Sequence, residues 1–272
     1  MGDAGDRGEP VTVGEMLADE RRHPPAGRTW EERWWFDFVA LPEVSPEASP
    51  RRPWGGYVRL AFRWEHDRQV AWYWAAMVGT EHGLVAVRAD DLRVPARGTE
   101  VRGDGVWAAL TCETPGDHWS LGLECFGAAF EDDLEAWGAE RGDVVPFGLD
   151  LEWEATGPIV AYANHGYDQW CEVHGEVLIG DDRLPVAGLG SREHAWGAPQ
   201  TPPSFRAAIA GRPVAHRESS ASVAWTPFPE RAAVDDLEVR PVQVSPVAVP
   251  DARVVNALCR SEDGFGWVSW WE

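Results

Sequence analysis

The sequence predicts an all-β protein. Apolar and polar residues alternate with period two through most of the chain, and Gly- and Asp-containing turn signals recur at short intervals. Tryptophan is also abundant, 17 of 272 residues against 4 Tyr and 9 Phe, and it suits a half-buried pleated surface.

Residues 1–27 are polar and punctuated by Pro and Gly, with a weak helical stretch from Val13 to Arg22. They read as a flexible lead-in. From Trp30 the period becomes two. Val58, Leu60, Phe62 and Trp64 alternate with Arg59, Ala61 and Arg63, so the first set faces a core and the second faces water. Trp119, Leu121, Leu123 and Cys125 repeat the pattern, as do Phe147, Leu149, Leu151 and Trp153. Further strands are expected over 34–40, 69–79, 83–88, 106–113, 170–180, 205–210, 213–226, 237–249, 253–260 and 265–271. Gly55-Gly56, Gly103-Asp104-Gly105, Gly180-Asp181-Asp182 and Asp263-Gly264 punctuate them. Glu131 to Trp137 breaks the alternation and reads as one short, solvated helix with acids in its first turn. A Pro/Gly junction at Gly142 to Pro146 follows, so a first β domain is expected over 28–145 and a second over 146–272.

Composition removes several function classes. The net charge of −21 leaves no basic footprint for nucleic acid or anionic lipid. All 24 basic residues are Arg, and the absence of Lys excludes a Walker-type phosphate loop, a pyridoxal enzyme and a Schiff-base aldolase. Cys112, Cys125, Cys171 and Cys259 show no Cys-x-x-Cys spacing, and the histidines show no metal-binding spacing. No signal-like or membrane-spanning apolar run is present, so a cytoplasmic location is expected. The tryptophans fit either an aromatic core or a cavity lined with flat π faces.

The densest polar cluster is Gly188-Leu-Gly-Ser-Arg-Glu-His-Ala-Trp-Gly197. On a strand, Arg192, His194 and Trp196 share one face, and Glu193 and Ala195 the other. A histidine beside an indole is a usable acid–base group next to a cation stabiliser; it equally serves as a bonded core histidine with a packing Trp. Glu152 and Glu154 share a strand face, which alternation places in solvent. His165 fits either a cavity wall or an exposed loop.

The cluster resembles the Gly-x-Arg-Asp-His-Ser-Trp-Gly signature of the lipocalin-like superfamily of AttH-type proteins, carotenoid 1,2-hydratases and Diels–Alderases. Tyr167-Asp-Gln-Trp-Cys-Glu-Val-His-Gly-Glu-Val is similar to the same superfamily's Tyr-Glu-Gln strand, and the match is clearest over 158–197. Glu193 stands where the family has Asp, Ala195 where it has Ser, and Ala198 to Pro203 replaces the usual Arg-Asp-Trp continuation. The resemblance implies two lipocalin-like β-barrel or sandwich domains with one short helix between them, and no metal or organic cofactor. It implies a hydrophobic small molecule as partner, an isoprenoid or polyketide of secondary metabolism. It also implies an enzyme that hydrates, isomerises or cyclises an alkene after protonating it. Glu193 would supply the proton from a dry pocket, where desolvation raises a carboxyl pKa. His194 would orient the acid or take the final proton, and Trp196 would stabilise the cation. Arg192, Tyr167, Gln169 and Trp170 would contact substrate. A non-catalytic carrier and a shape-only pericyclic cyclase are the alternatives.

Overall fold

The computed structural model describes residues 20–40, 53–103, 105–137, 142–162, 166–198, 204–209, 215–218, 232–234, 237–249, 252–262 and 264–271. Eleven strands form one sheet: β1 (Glu31–Ala40), β2 (Trp54–Glu65), β3 (Arg68–Thr80), β4 (Gly83–Arg93), β5 (Val101–Gly103), β6 (Val106–Thr114), β7 (His118–Phe130), β8 (Asp143–Ala155), β9 (Val160–Tyr162), β10 (Gly166–Ile179) and β11 (Asp182–Gly197). The order β4-β3-β2-β1-β11-β10-β8-β7 closes on itself where β7 pairs β4, giving an eight-stranded antiparallel barrel. Closure removes the sheet edges there. A second sheet runs β13 (Ala215–Glu218), β12 (Ser204–Ile209), β17 (Gly264–Trp271), β16 (Ala252–Ser261), β15 (Leu237–Val249), β14 (Ala232–Val234).

The expected division at 145/146 falls inside β8, which pairs with β7 on one side and β10 on the other. The change of sheet comes after Gly197, because β10 and β11 are needed to close the barrel onto β1. Of the strand expected over 213–226, Ala215–Glu218 is observed; 213, 214 and 219–226 lie outside the described residues. The segment Asp133–Trp137 is a short 3₁₀ turn and not a free-standing helix. Its Asp133 carboxylate accepts bonds from Val244 N (3.1 Å) and Gln243 Nε2 (2.7 Å) on β15, so it ties the barrel to the second sheet.

Alternation fills the barrel. Trp34, Phe36, Phe38, Leu60, Trp119, Leu121, Leu151, Trp153, Cys171 and Val173 belong to one buried cluster, so this part of the Trp complement builds core. The opposite face of β1–β3 is also covered. Trp35, Tyr57, Trp72 and Trp74 cluster with Val247, Val254, Leu258 and Trp267 of the second sheet, and Trp267 Nε1 donates to Phe38 O at 2.8 Å. Arg59, expected in water, is therefore buried.

The lead-in is not free at its C-terminal end. Glu20 is 4 % exposed, and the segment from Glu20 to Trp30 runs over one mouth of the barrel. The remainder of the expected helix, Val13 to Asp19, lies outside the described residues.

Candidate functional site

The barrel mouth is built by register. On β11, His194 stands opposite Trp34 of β1 and Tyr167 of β10, and Arg192 stands opposite Phe36 and Gln169. Cross-strand partners share a face, so these side chains point inward together. Trp196 follows two residues on, opposite Glu32.

Two linked networks result. In the first, Arg192 is clamped by Glu20, with Nη2 to Oε1 at 2.8 Å and Nη1 to Oε2 at 3.0 Å. Arg192 also donates to Tyr167 Oη (3.1 Å) and, through Nε, to Gln169 Oε1 (2.9 Å). Gln169 Nε2 donates onward to Gly116 O and Gly157 O. Trp119 Nε1 donates to Glu20. A bidentate, fully bonded ion pair is the form in which buried charge is tolerated.

In the second network Glu32 is the hub. Its Oε1 lies 3.0 Å from His194 Nε2 and 2.9 Å from His23 Nδ1, and it also accepts from the His23 backbone N–H. Trp34 stacks on His194 (4.7 Å, 16°), His23 stacks on Trp196 (4.1 Å, 14°), and Tyr167 meets the His194 ring edge-on at 5.8 Å. Burial pushes the Glu32 carboxyl up, but the bonds from His194 and His23 outweigh it and hold the group below the usual carboxylate range. Burial dominates at His194 and holds its imidazole below the usual value despite the Glu32 charge. At neutral pH the pair is a carboxylate and a neutral imidazole. The proton sits on Nε2, facing Glu32, and Nδ1 carries the lone pair. That Nδ1 is buried and has no hydrogen-bond partner.

The ligand atoms of His23, Glu32 and His194 lie within 4.8 Å of one another, close enough to share an ion. The surroundings favour the hydrogen-bonded form. A metal on His194 Nε2 would move the proton to Nδ1, where no acceptor waits, whereas ligating histidines ordinarily donate that proton to a neighbour.

The structure brings together His194, Trp196, Arg192, Tyr167 and Gln169. It separates two other expected residues. Glu193 points through the opposite face of β11, where it accepts from Arg33 Nε at 2.8 Å, because a strand alternates sides at every residue. Trp170 also faces away, opposite Ser191. His165 lies outside the described residues. Sequence reasoning missed Glu20, His23 and Glu32. For Glu32 a signal existed, since Glu32, Trp34, Phe36 and Phe38 fall on one face of an alternating strand. Glu20 and His23 had no periodic signal.

A closed antiparallel barrel with a second sheet packed on its wall is a fold this chain shares with solved structures. The crystal structure of an AttH-designated protein (NE1406) from Nitrosomonas europaea superposes with a TM-score of 0.52 at 12 % identity, over 90 % of this chain and 93 % of that one. Kievitone hydratase from Nectria haematococca is similar at 10 % identity and a TM-score of 0.49, over 87 % of each chain. CghA in complex with Sch210972 is similar at 9 % identity and a TM-score of 0.45, over 90 % of this chain and 88 % of that one. No curated protein matches the sequence. Residues 16–208 match a family described as a domain of unknown function, DUF7064, and the chain belongs to that family.

Proposed function

We propose that this protein is an acid–base enzyme acting on an apolar, unsaturated small molecule, with the Glu32–His194 pair as its proton-transfer device. The observation that carries the reading is the unpartnered Nδ1 of a buried histidine whose other nitrogen is pinned by a carboxylate. Leaving a buried polar atom unsatisfied costs about 1–3 kcal/mol, which a proton-donating substrate atom would recover.

The electrostatics invert the expected order of events. A neutral imidazole with a depressed pKa is a base, so the reaction begins with proton removal and not with protonation of an alkene. His194 Nδ1 takes a proton from an acidified C–H or from a hydroxyl. The imidazolium so formed keeps its Nε2 proton on Glu32, whose negative charge stabilises it. The same proton then returns to another carbon. Isomerisation results if nothing is added, and hydration or cyclisation if the activated hydroxyl or an internal nucleophile bonds to the alkene. No organic cofactor is needed for these steps. Isoprenoid and polyketide alkenes conjugated to a carbonyl, which acidifies the neighbouring C–H and makes the alkene electrophilic, are the substrate class, on the strength of the Arg192-to-Gly197 motif and the aromatic walls of Trp34 and Trp196. Four free cysteines suit a cytoplasmic setting.

The test is deuterium exchange. The protein is incubated in heavy water with isoprenoid and polyketide alkenes, and products are compared by mass spectrometry between wild type and His194→Ala. Carbon-bound deuterium or added D₂O that disappears in the variant supports the assignment. Equal incorporation by the variant would overturn it.

A further inference from the structure

The Glu20 carboxylate sits in a receptor to which the barrel supplies every donor. These are Arg192 Nη1 and Nη2 on β11, Trp119 Nε1 on β7 and the backbone N–H of Gly116 in the turn between β6 and β7; the Cys112 thiol of β6 lies 3.8 Å from Oε2. Arg192 is itself oriented by Gln169 Oε1 and Tyr167 Oη, both on β10. Sheet pairing fixes the elements that carry these groups. Glu20 stands on no such element, because residues 20–23 belong to no strand. They are tied down through side chains: Glu20 on Arg192, Arg22 Nη1 on Pro95 O (2.6 Å) and His23 on the Glu32 carboxylate.

The Arg192 and Glu20 side chains are 2 % and 1 % exposed, so the pair is dry. A buried guanidinium without a counter-charge is strongly destabilising, and Arg192 therefore needs an anion in any folded state. Its fork and the converging N–H groups recognise the two oxygens of a carboxylate, whatever molecule carries them. Exchanging one carboxylate for another leaves the local charge unchanged. It also clears space. His23 stacks on Trp196 at 4.1 Å, and the Arg22 guanidinium carbon lies 4.6 Å over the Phe62 ring, so a lead-in that lifts off vacates two aromatic faces at the mouth. The receptor is continuous with His194. Arg192 and His194 are two residues apart on one face of β11, about 7 Å along the strand. Tyr167, bonded to Arg192, meets the His194 ring edge-on.

We propose that this pocket binds the carboxylate of an apolar organic acid, and that Glu20 occupies it as a tethered stand-in which the ligand displaces. The lead-in is then an autoinhibitory strap, held at the mouth by the same contacts that recognise the ligand. The ligand's apolar body takes the faces left by Arg22 and His23, which brings a carbon a few bonds from its carboxylate beside His194. That this ligand is also the substrate rests on the acid–base reading of His194. The exchange of carboxylates does not, since it needs only Arg192 and its neighbours.

The test uses the full chain, with hexanoate as ligand and hexanamide as the uncharged control. Isothermal titration of Glu20→Ala, which removes the tethered carboxylate, should show one saturable hexanoate site and no hexanamide binding. Adding Arg192→Met should abolish that site. Wild type should bind hexanoate about 10- to 1,000-fold more weakly, because Glu20 vacates the pocket in only a minor fraction of molecules. A second readout needs no variant: saturating hexanoate should speed trypsin cleavage after Arg22 in wild type, and hexanamide should not. His194→Ala should match wild type in titration and cleavage, so failure of the deuterium exchange and failure of this exchange are read apart. Absence of hexanoate binding by Glu20→Ala, its survival with Arg192→Met, equal binding of hexanamide, equal affinity in wild type and Glu20→Ala, or a cleavage rate that hexanoate leaves unchanged would overturn the assignment.

Discussion

Glu32 and His194, 162 residues apart in sequence, are diagonal neighbours on the paired strands β1 and β11, with Oε1 and Nε2 3.0 Å apart and each side chain 1 % exposed. The contact fixes the imidazole tautomer. It also means that any chemistry at this histidine is governed by a residue outside the motif that contains it.

Replacing Glu32 with Gln should therefore move His194. The carboxylate charge raises the imidazole pKa against the lowering effect of burial, so Glu32→Gln should shift the His194 titration to lower pH, as read by NMR of the imidazole carbons. Turnover should fall by roughly 100- to 10,000-fold, the usual contribution of a general base. Glu193→Gln, on the opposite face, should leave the His194 titration in place. A titration displaced by Glu193→Gln and untouched by Glu32→Gln would refute the pairing.

Acid should destabilise the fold through the same two groups. Both His194 and Glu32 titrate below their ordinary values in the folded state, so the unfolded chain binds more protons in acid. Their contribution is complete above the ordinary histidine value. It declines as pH falls through the histidine range, and further through the carboxylate range. Urea unfolding from pH 8 to pH 4 should show stability dropping on the acid side, and Glu32→Gln should steepen the drop through the histidine range, because the folded His194 titration moves further down, while removing the part that belongs to the carboxylate range.

The Glu20–Arg192 clamp fastens the lead-in to the barrel. Removing one partner of a buried pair leaves an uncompensated charge and costs about 3–5 kcal/mol. Glu20→Ala should lower Tm by roughly 2–4 °C per kcal/mol for a chain of this size. Arg192→Met combined with Glu20→Ala should cost less than the sum of the single changes, because the double variant leaves neither charge stranded.

The strands were legible because period two is written directly in the sequence, and the inward set Trp119, Leu121 and Leu123 lies where alternation puts it. Alternation also told which of Arg192, Glu193 and His194 share a face. It could not tell that a second sheet would cover the outer wall, so Arg59 read as solvated. The division at 145/146 followed Pro and Gly punctuation, but barrel closure is a long-range pairing of β11 with β1 that no local signal announces. Glu20 and His23 belong to a segment without periodicity, positioned only by what it bonds to.

Gly190 sits where β11 approaches β1 closely. A Cβ there would lie 2.0 Å from Asp37 O and 2.9 Å from Val173 Cγ2, so backbone must move to admit it. Gly190→Ala should cost about 1–3 kcal/mol, the range for overpacking a core, and should lower Tm accordingly. A variant as stable as wild type would show that the strands are less tightly apposed.

The His23–Glu32–His194 trio separates acid–base from metal chemistry. Its ligand atoms lie within 4.8 Å, so an ion has the donors it needs. Seating one would replace the bonds that Glu32 accepts from both rings. It would also put a proton on His194 Nδ1 with no acceptor, so that atom would stay unsatisfied and the neighbour to which a ligating histidine ordinarily donates would be missing. Protein stripped with a chelator should keep its His194-dependent deuterium exchange, and added Co²⁺ should give no ligand-field absorption. Co²⁺ bands that appear in wild type and vanish in His23→Ala, with exchange restored only by metal, would make the trio a metal centre and reassign the proton transfers to bound water.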